Sequence, residues 1–187
     1  MNNIFYQSVD GDASQKEYIE KMGRAADYTI EKKSFWFRPH AKTFLQMCFT
    51  KESLDIAIWT TSLKQNTTRV MKKLVSETLQ AKFLFTWTAS DCKQQKGKNA
   101  IDNSTQVIYK KHLKKVWRMY SQYDATNTIL VDCSMETKKE NPKENVIIAP
   151  SFDGKNKEDK WLIADLWSLM NKFYKAPDVR DILKNLQ

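Results

Sequence analysis

The chain has 187 residues, 41% of them hydrophobic and 12% aromatic, which suits one folded domain with a full core and excludes a disordered or low-complexity polymer. It carries 31 Lys and Arg against 22 Asp and Glu. The resulting net charge of +9 permits an anionic partner without choosing among nucleic acid, lipid and acidic protein, and the scattered lysines read first as a solvated surface.

Three cysteines (Cys48, Cys92, Cys133) without a close pair, and two isolated histidines (His40, His112), argue against a disulfide framework and against a zinc site. No stretch is long enough to span a membrane, since the apolar run from Trp161 to Met170 is short and contains Asp165. The first residues, MNNIFYQSVDGDAS, have neither a basic start nor an apolar core, so they do not read as a secretory signal, and with Asp10 and Asp12 they make a poor mitochondrial presequence.

Residues 1–34 form a divergent N-terminal part of a single domain covering 1–187. Within it Asp10-Gly11 reads as an ordinary turn, because the preceding IFYQSV includes Gln7 and Ser8, unlike a strand buried on both faces. FWFR at 35–38 reads as a short strand, and Pro39 suits the first turn of a helix in which Ala41, Phe44, Leu45 and Cys48 share a face. LDIAIW at 54–59 is a buried strand, 64–78 a helix with Val70, Met71, Leu74 and Val75 inward, and KFLFTW at 82–87 a further strand. The polar run 88–106 reads as a long surface loop. A helix over 108–122 follows, with Leu113, Val116, Trp117 and Tyr120 on the apolar face and Lys110, Lys111, Lys114, Lys115 and Arg118 opposite. TILVD at 128–132 and NVIIA at 145–149 are strands. The apolar spacing gives a helix over 158–174, and Asp178 caps a last helix running to Leu186. Alternating strands and helices predict an open, mostly parallel α/β sheet.

In such sheets a site lies beyond the carboxyl ends of the strands. There the sequence places Thr60, with Thr61 and Ser62, and Asp132, with Cys133 and Ser134, while Lys111 stands near the start of a helix. A hydroxyl, a lysine and a carboxylate that converge suit a phosphoryl group, although polar residues commonly follow buried strands.

The ordered segments FRPHAKTFLQ, LDIAIWTTS, YKKHLKKV, TILVDCS, NPKENVIIAPSFDG and DVRDIL resemble the carboxy-terminal-domain phosphatase branch of the haloacid-dehalogenase superfamily over residues 35–187. The resemblance implies a three-layer sandwich around a mostly parallel sheet. It matches Arg38-Pro39 to the family's helix start, Thr60 to the second-motif hydroxyl, Lys111 (or Lys110) to the third-motif lysine and Asp132 to the first acid of the fourth motif. Active members also end their first strand on Asp-x-Asp-x-Thr, which supplies the nucleophile, the acid/base and a magnesium ligand. Here the only counterpart is Asp10-Gly11-Asp12, and Cys133 stands where a second metal-binding oxygen belongs, a poor match for a hard cation. The triplets Val131-Asp132-Cys133, Phe152-Asp153-Gly154 and Asp178-Val179-Arg180 are similar to the receptor subunit of the mitochondrial inner-membrane presequence translocase.

The expectation is therefore an inactive phosphatase-like subunit without a cofactor. It would bind other subunits of a large mitochondrial assembly peripherally at the inner membrane. Trp161, Ile163, Trp167 and Tyr174 are its candidate interface, because their stripes on the 158–174 helix exceed what one sheet face needs. The alternative is an active magnesium-dependent Ser/Thr phosphatase with Asp10 as nucleophile, Asp12 as acid/base, Thr60 and Lys111 holding phosphate and Asp132 orienting the site. A third reading, a nucleic-acid-binding module on the basic face of 108–122, lacks interleaved aromatics for base stacking.

Overall fold

A computed structural model describes residues 4–98 and 105–185; the side chains of 12–15 and of 98 lie outside the description. The chain starts with strand β1 (Tyr6–Asp10) and helix α1 (Asp12–Met22), then β2 (Tyr28–Ile30) and β3 (Lys33–Phe37). These strands form an antiparallel sheet in the order β1-β3-β2, with Tyr6 opposite Phe37 and Asp10 opposite Lys33. The segment read as a turn is thus a strand up to Asp10, and the turn begins at Gly11 with φ +88°. Gln7 and Ser8 fit because this strand is only half buried and sits at a sheet edge.

Helix α2 (Ala41–Cys48) buries Ala41, Phe44, Leu45 and Cys48, the face its spacing predicts. Strand β4 (Ile58–Trp59) is shorter than the apolar run that contains it, and α3 (Lys64–Leu74) stops where Val75 turns extended; Ser76 then caps a separate turn, α4 (Glu77–Gln80). Strand β5 (Thr86–Trp87) pairs in parallel with β4.

Two expectations are corrected next. The polar run 88–106 is largely a β-hairpin rather than a loop: β6 (Lys93–Lys98) pairs antiparallel with β7 (Thr105–Lys110). Its first strand is polar and exposed on both faces, while β7 brings Tyr109 against the second apolar cluster. Consequently 108–110 are strand, and helix α5 covers only Leu113–Met119, though Leu113 and Val116 still point into the core. Strand β8 (Leu130–Asp132), a turn α6 (Met135–Lys139) and strand β9 (Val146–Ile148) follow, with β9 parallel to β8. The 158–174 helix is a π-helical turn over Leu162–Leu166 continuing as α7 (Trp167–Phe173). Asp178 caps α8 (Val179–Lys184) by accepting from the Arg180 amide at 2.9 Å.

The chain is mixed α/β, but among the described residues the parallel strands form two separate two-stranded ladders, β4–β5 and β8–β9, instead of one continuous sheet. Two apolar clusters flank them. One gathers Phe35, Phe44, Leu45, Ile58, Val70 and Leu162; the other gathers Trp59, Trp87, Leu113 and Val116. No described helix is long and apolar enough to cross a membrane.

Candidate functional site

Strand β8 delivers Asp132 to its carboxyl end, and the segment between β7 and α5 delivers Lys111. Both side chains are buried, and Lys111 Nζ donates to Asp132 Oδ2 at 2.7 Å. Thr137 Oγ1 donates to the same oxygen at 2.9 Å, and the Ser134 amide donates to Oδ1 at 3.1 Å. Burial alone would push the Asp132 carboxyl up. The adjacent Lys111 charge, the Lys111 hydrogen bond and the Ser134 amide outweigh it and hold the carboxyl below its ordinary range. A buried, ionised acid thus has its lysine counter-ion in contact.

Thr60 lies at the end of β4 and is buried, its Oγ1 accepting from the Ser62 amide at 3.1 Å. Cys92 Sγ donates to the Thr60 carbonyl at 3.8 Å and to the Thr88 carbonyl at 3.6 Å. Lys110, the alternative to Lys111, points elsewhere and pairs with Glu140.

Asp10 lies apart. It is 75% exposed and takes a salt bridge from Lys33 at 2.9 Å on the antiparallel sheet. The Asp12 side chain falls outside the description. Cys133 follows Asp132 directly, and burial together with the Asp132 charge pushes its thiol up. Magnesium is the metal that the fold family implies, and it prefers oxygen ligands. Asp132 here has both oxygens engaged by donors, an ammonium at 2.7 Å and a thiol as its neighbour in sequence. Among the described residues no group of three His, Cys, Asp or Glu side chains could hold a metal ion. No step is derived through magnesium.

Four residues that sequence reasoning overlooked hold this arrangement. Asn141 accepts from the Leu113 amide at 2.7 Å and donates to the Lys111 and Thr137 carbonyls at 2.8 and 2.7 Å, fixing the lysine's backbone. Asn145, fully buried, ties the Ala125 and Thr128 carbonyls to the start of β9. Thr137 buttresses the aspartate, and Asp159 pairs with Arg38. Asn-Pro at 141–142 was the one local signal, since such dipeptides mark turns.

The sequence matches the family model described as NLI interacting factor-like phosphatase over residues 6–180. The chain belongs to that family. Its membership extends the likeness first seen over 35–187 to β1. Among solved structures, the RNA polymerase II CTD phosphatase of fission yeast, bound to beryllium fluoride, is similar at 12% identity with a TM-score of 0.49. That likeness covers 99% of this chain and 60% of the other, so the chain spans about 60% of that phosphatase's length. No curated protein is significantly similar to the chain.

The interface candidates lie along the 158–174 helix. Trp161 lies under the Arg38 guanidinium, 5.0 Å from its ring centroid, and Ile163 is half-buried against the larger cluster. Trp167 meets Phe44 edge-on at 6.5 Å, whereas Tyr174 is 44% exposed. Lys51 Nζ stands over both rings, 5.6 Å from Trp167 and 5.4 Å from Tyr174.

Proposed function

We propose that this chain is a catalytically inactive member of the phosphatase family that binds other proteins as a subunit of a larger assembly, without a cofactor. One observation carries the reading. Asp10, the one counterpart of the family's nucleophile, is exposed and paired to Lys33 on the antiparallel sheet, while Asp132 is paired with Lys111 and bonded by Thr137 and the Ser134 amide on another. A carboxylate nucleophile needs a metal to offset its repulsion from phosphate, and Cys133 beside Asp132 is a weak ligand for a hard cation. The mitochondrial inner membrane is the proposed location, on the resemblance of the Val131-Asp132-Cys133, Phe152-Asp153-Gly154 and Asp178-Val179-Arg180 stretches alone.

The competing reading is an active phosphatase, favoured by family membership and by the retained Thr60, Lys111 and Asp132. An assay of the purified chain with an aryl phosphate and a phosphoserine peptide in magnesium separates the two. We expect no turnover. Turnover that disappears in Asp10→Asn would overturn the inactive reading. For the location, the native protein is expected to co-migrate with a large assembly in the mitochondrial membrane fraction; recovery as a monomer from the cytosol would refute it.

A further inference from the structure

Seven residues make nearly two helical turns, so Trp167 and Tyr174 fall on one stripe of the 158–174 helix. Trp167 is half-buried and Tyr174 is 44% exposed. Lys51, in the segment that follows α2, lies across that stripe. Its ammonium stands over both rings at once, 5.6 Å from the Trp167 centroid and 5.4 Å from that of Tyr174. A surface lysine ordinarily extends its strongly hydrated head into water. This one is held by the electron-rich faces of two aromatics.

Among the described residues no carboxylate pairs with Lys51. The same is true of Lys172 and Lys175, which are exposed in the last turn of α7 and just beyond it. Glu52 and Asp165 are exposed and pair with none of the three, and Asp178 is taken by Arg180 at 2.6 Å. Proximity to a helix carboxyl end accounts for Lys172 and Lys175, but Lys51 belongs to another segment. The end of α7 therefore presents two part-exposed rings together with three cations that lack a carboxylate.

This geometry restricts what can cover the patch. A partner that buries Trp167 and Tyr174 also covers the ammonium lying over them. Stripping its water without supplying an anion would strand a buried charge, a larger penalty than two ring faces offset. A carboxylate brought to Lys51 removes that penalty, and Lys172 and Lys175 attract further acids. An apolar side chain set between those acids then has the rings to pack against. We propose that the patch of Lys51, Trp167 and Tyr174 docks an acidic segment of a partner protein, in which an apolar anchor is flanked by Asp or Glu. The inference rests on the reading of the chain as a protein-binding subunit and adds to it the chemistry of the partner.

The test titrates the 187-residue protein calorimetrically with the synthetic peptide Glu-Glu-Leu-Phe-Glu-Glu and with versions carrying Gln or Lys at the four acidic positions. Expected are saturable binding of the Glu peptide, about tenfold weaker binding of the Gln peptide and none of the Lys peptide. Lys51→Met keeps the apolar stem. It should weaken the Glu peptide about fivefold and leave the Gln peptide unchanged, a comparison that controls for folding, whereas Lys51→Arg should retain binding. In the native assembly Lys51→Met should release the chain and Lys51→Arg should not. Equal affinity for the Glu and Gln peptides, or no peptide binding, would overturn the proposal. So would tighter binding by Lys51→Met, since the lysine would then only obstruct the rings. Lys51-dependent binding to phosphatidylglycerol vesicles in place of the peptide would overturn it in favour of a lipid surface. If Lys51→Met stays in the assembly, this inference fails and the subunit reading stands. If the native chain co-migrates with nothing yet binds the Glu peptide through Lys51, the subunit reading fails and the acidic-segment site stands.

Discussion

Arg38 and Asp159, 121 residues apart, are joined by a two-pronged contact in which Arg38 Nε and Nη2 both donate to Asp159 Oδ2, at 3.0 and 2.8 Å. The guanidinium also donates to the Pro150 carbonyl at 3.0 Å and lies against Trp161 and Phe152, so the start of α2 is fastened to the segment that precedes the 158–174 helix. Arg38 is 2% exposed, and removing one partner of a buried pair strands the other in a low-dielectric site. Arg38→Ala is therefore expected to cost about 3 to 5 kcal/mol in urea unfolding. Arg38→Lys should recover only part of this, since an ammonium cannot reproduce the guanidinium's donor geometry. An Arg38→Ala protein as stable as the original would show the pair to be dispensable.

Acid should destabilise the protein through Asp132. Its carboxyl is held below the ordinary value of 3.8, so the unfolded chain binds a proton there before the folded chain does. Stability from this group is complete above about 4 and is lost as pH falls through the lower folded value. Asp132→Asn should flatten that limb of the urea midpoint against pH and lower stability at neutral pH by about 1 to 3 kcal/mol. An unchanged acid limb would mean that the Lys111 pair contributes nothing in this range.

The cysteines carry the opposite dependence. Burial pushes the Cys48 thiol up from 9.0 to about 12 and raises Cys92 and Cys133 as well. A raised thiol favours folding fully below about 9, and this contribution is lost as pH rises towards about 12 for Cys48. At pH 8 a disulfide reagent should label the folded protein slowly, with Cys48 slowest and the half-buried Cys133 fastest, and should label all three quickly in denaturant. Rapid labelling of Cys133 in the folded state would reveal an activated thiol beside Asp132.

Trp167 and Tyr174 separate packing from assembly. The edge-on contact of Trp167 with Phe44 predicts that Trp167→Ala costs about 2 to 4 kcal/mol in stability, so loss of assembly in that variant alone is ambiguous. Tyr174 is exposed, and Tyr174→Ala should change stability by less than about 0.5 kcal/mol. If the stripe is an interface, Tyr174→Ala weakens co-migration with the assembly while leaving Tm unchanged.

The helical faces were legible in the sequence where apolar spacing alone sets burial: Ala41, Phe44, Leu45 and Cys48 are all inward, as are Leu113 and Val116. The pairing of Lys111 with Asp132 followed the resemblance rather than periodicity. The hairpin at 93–110 was not legible, because its first strand, KQQKGK, is polar throughout and lacks the alternation by which a half-buried strand is recognised. Nor was the strand role of Tyr6–Asp10, whose Gln7 and Ser8 tolerate a half-exposed edge but would be excluded from the centre of a parallel sheet. Arg38's partner, Asp159, could not be found from local sequence, since a contact across 121 residues leaves no spacing signal.

The lack of a buried face on the hairpin's first strand, β6, has a consequence for its alignment. Where one face is buried, sliding a strand by one residue turns its apolar side chains into water, and that cost fixes the alignment. In β6, KQQKGK, such a slide exchanges polar side chains for polar ones and costs little. One point of shape opposes it: a side chain at Gly97 would put its Cβ 2.3 Å from Ile108 Cδ1, so the isoleucine's outer carbon would have to turn aside. Slipping by one residue one way would press Ile108 against Lys96 instead. The glycine thus biases the ribbon's alignment at one point, and a bulkier residue at 97 would remove that bias.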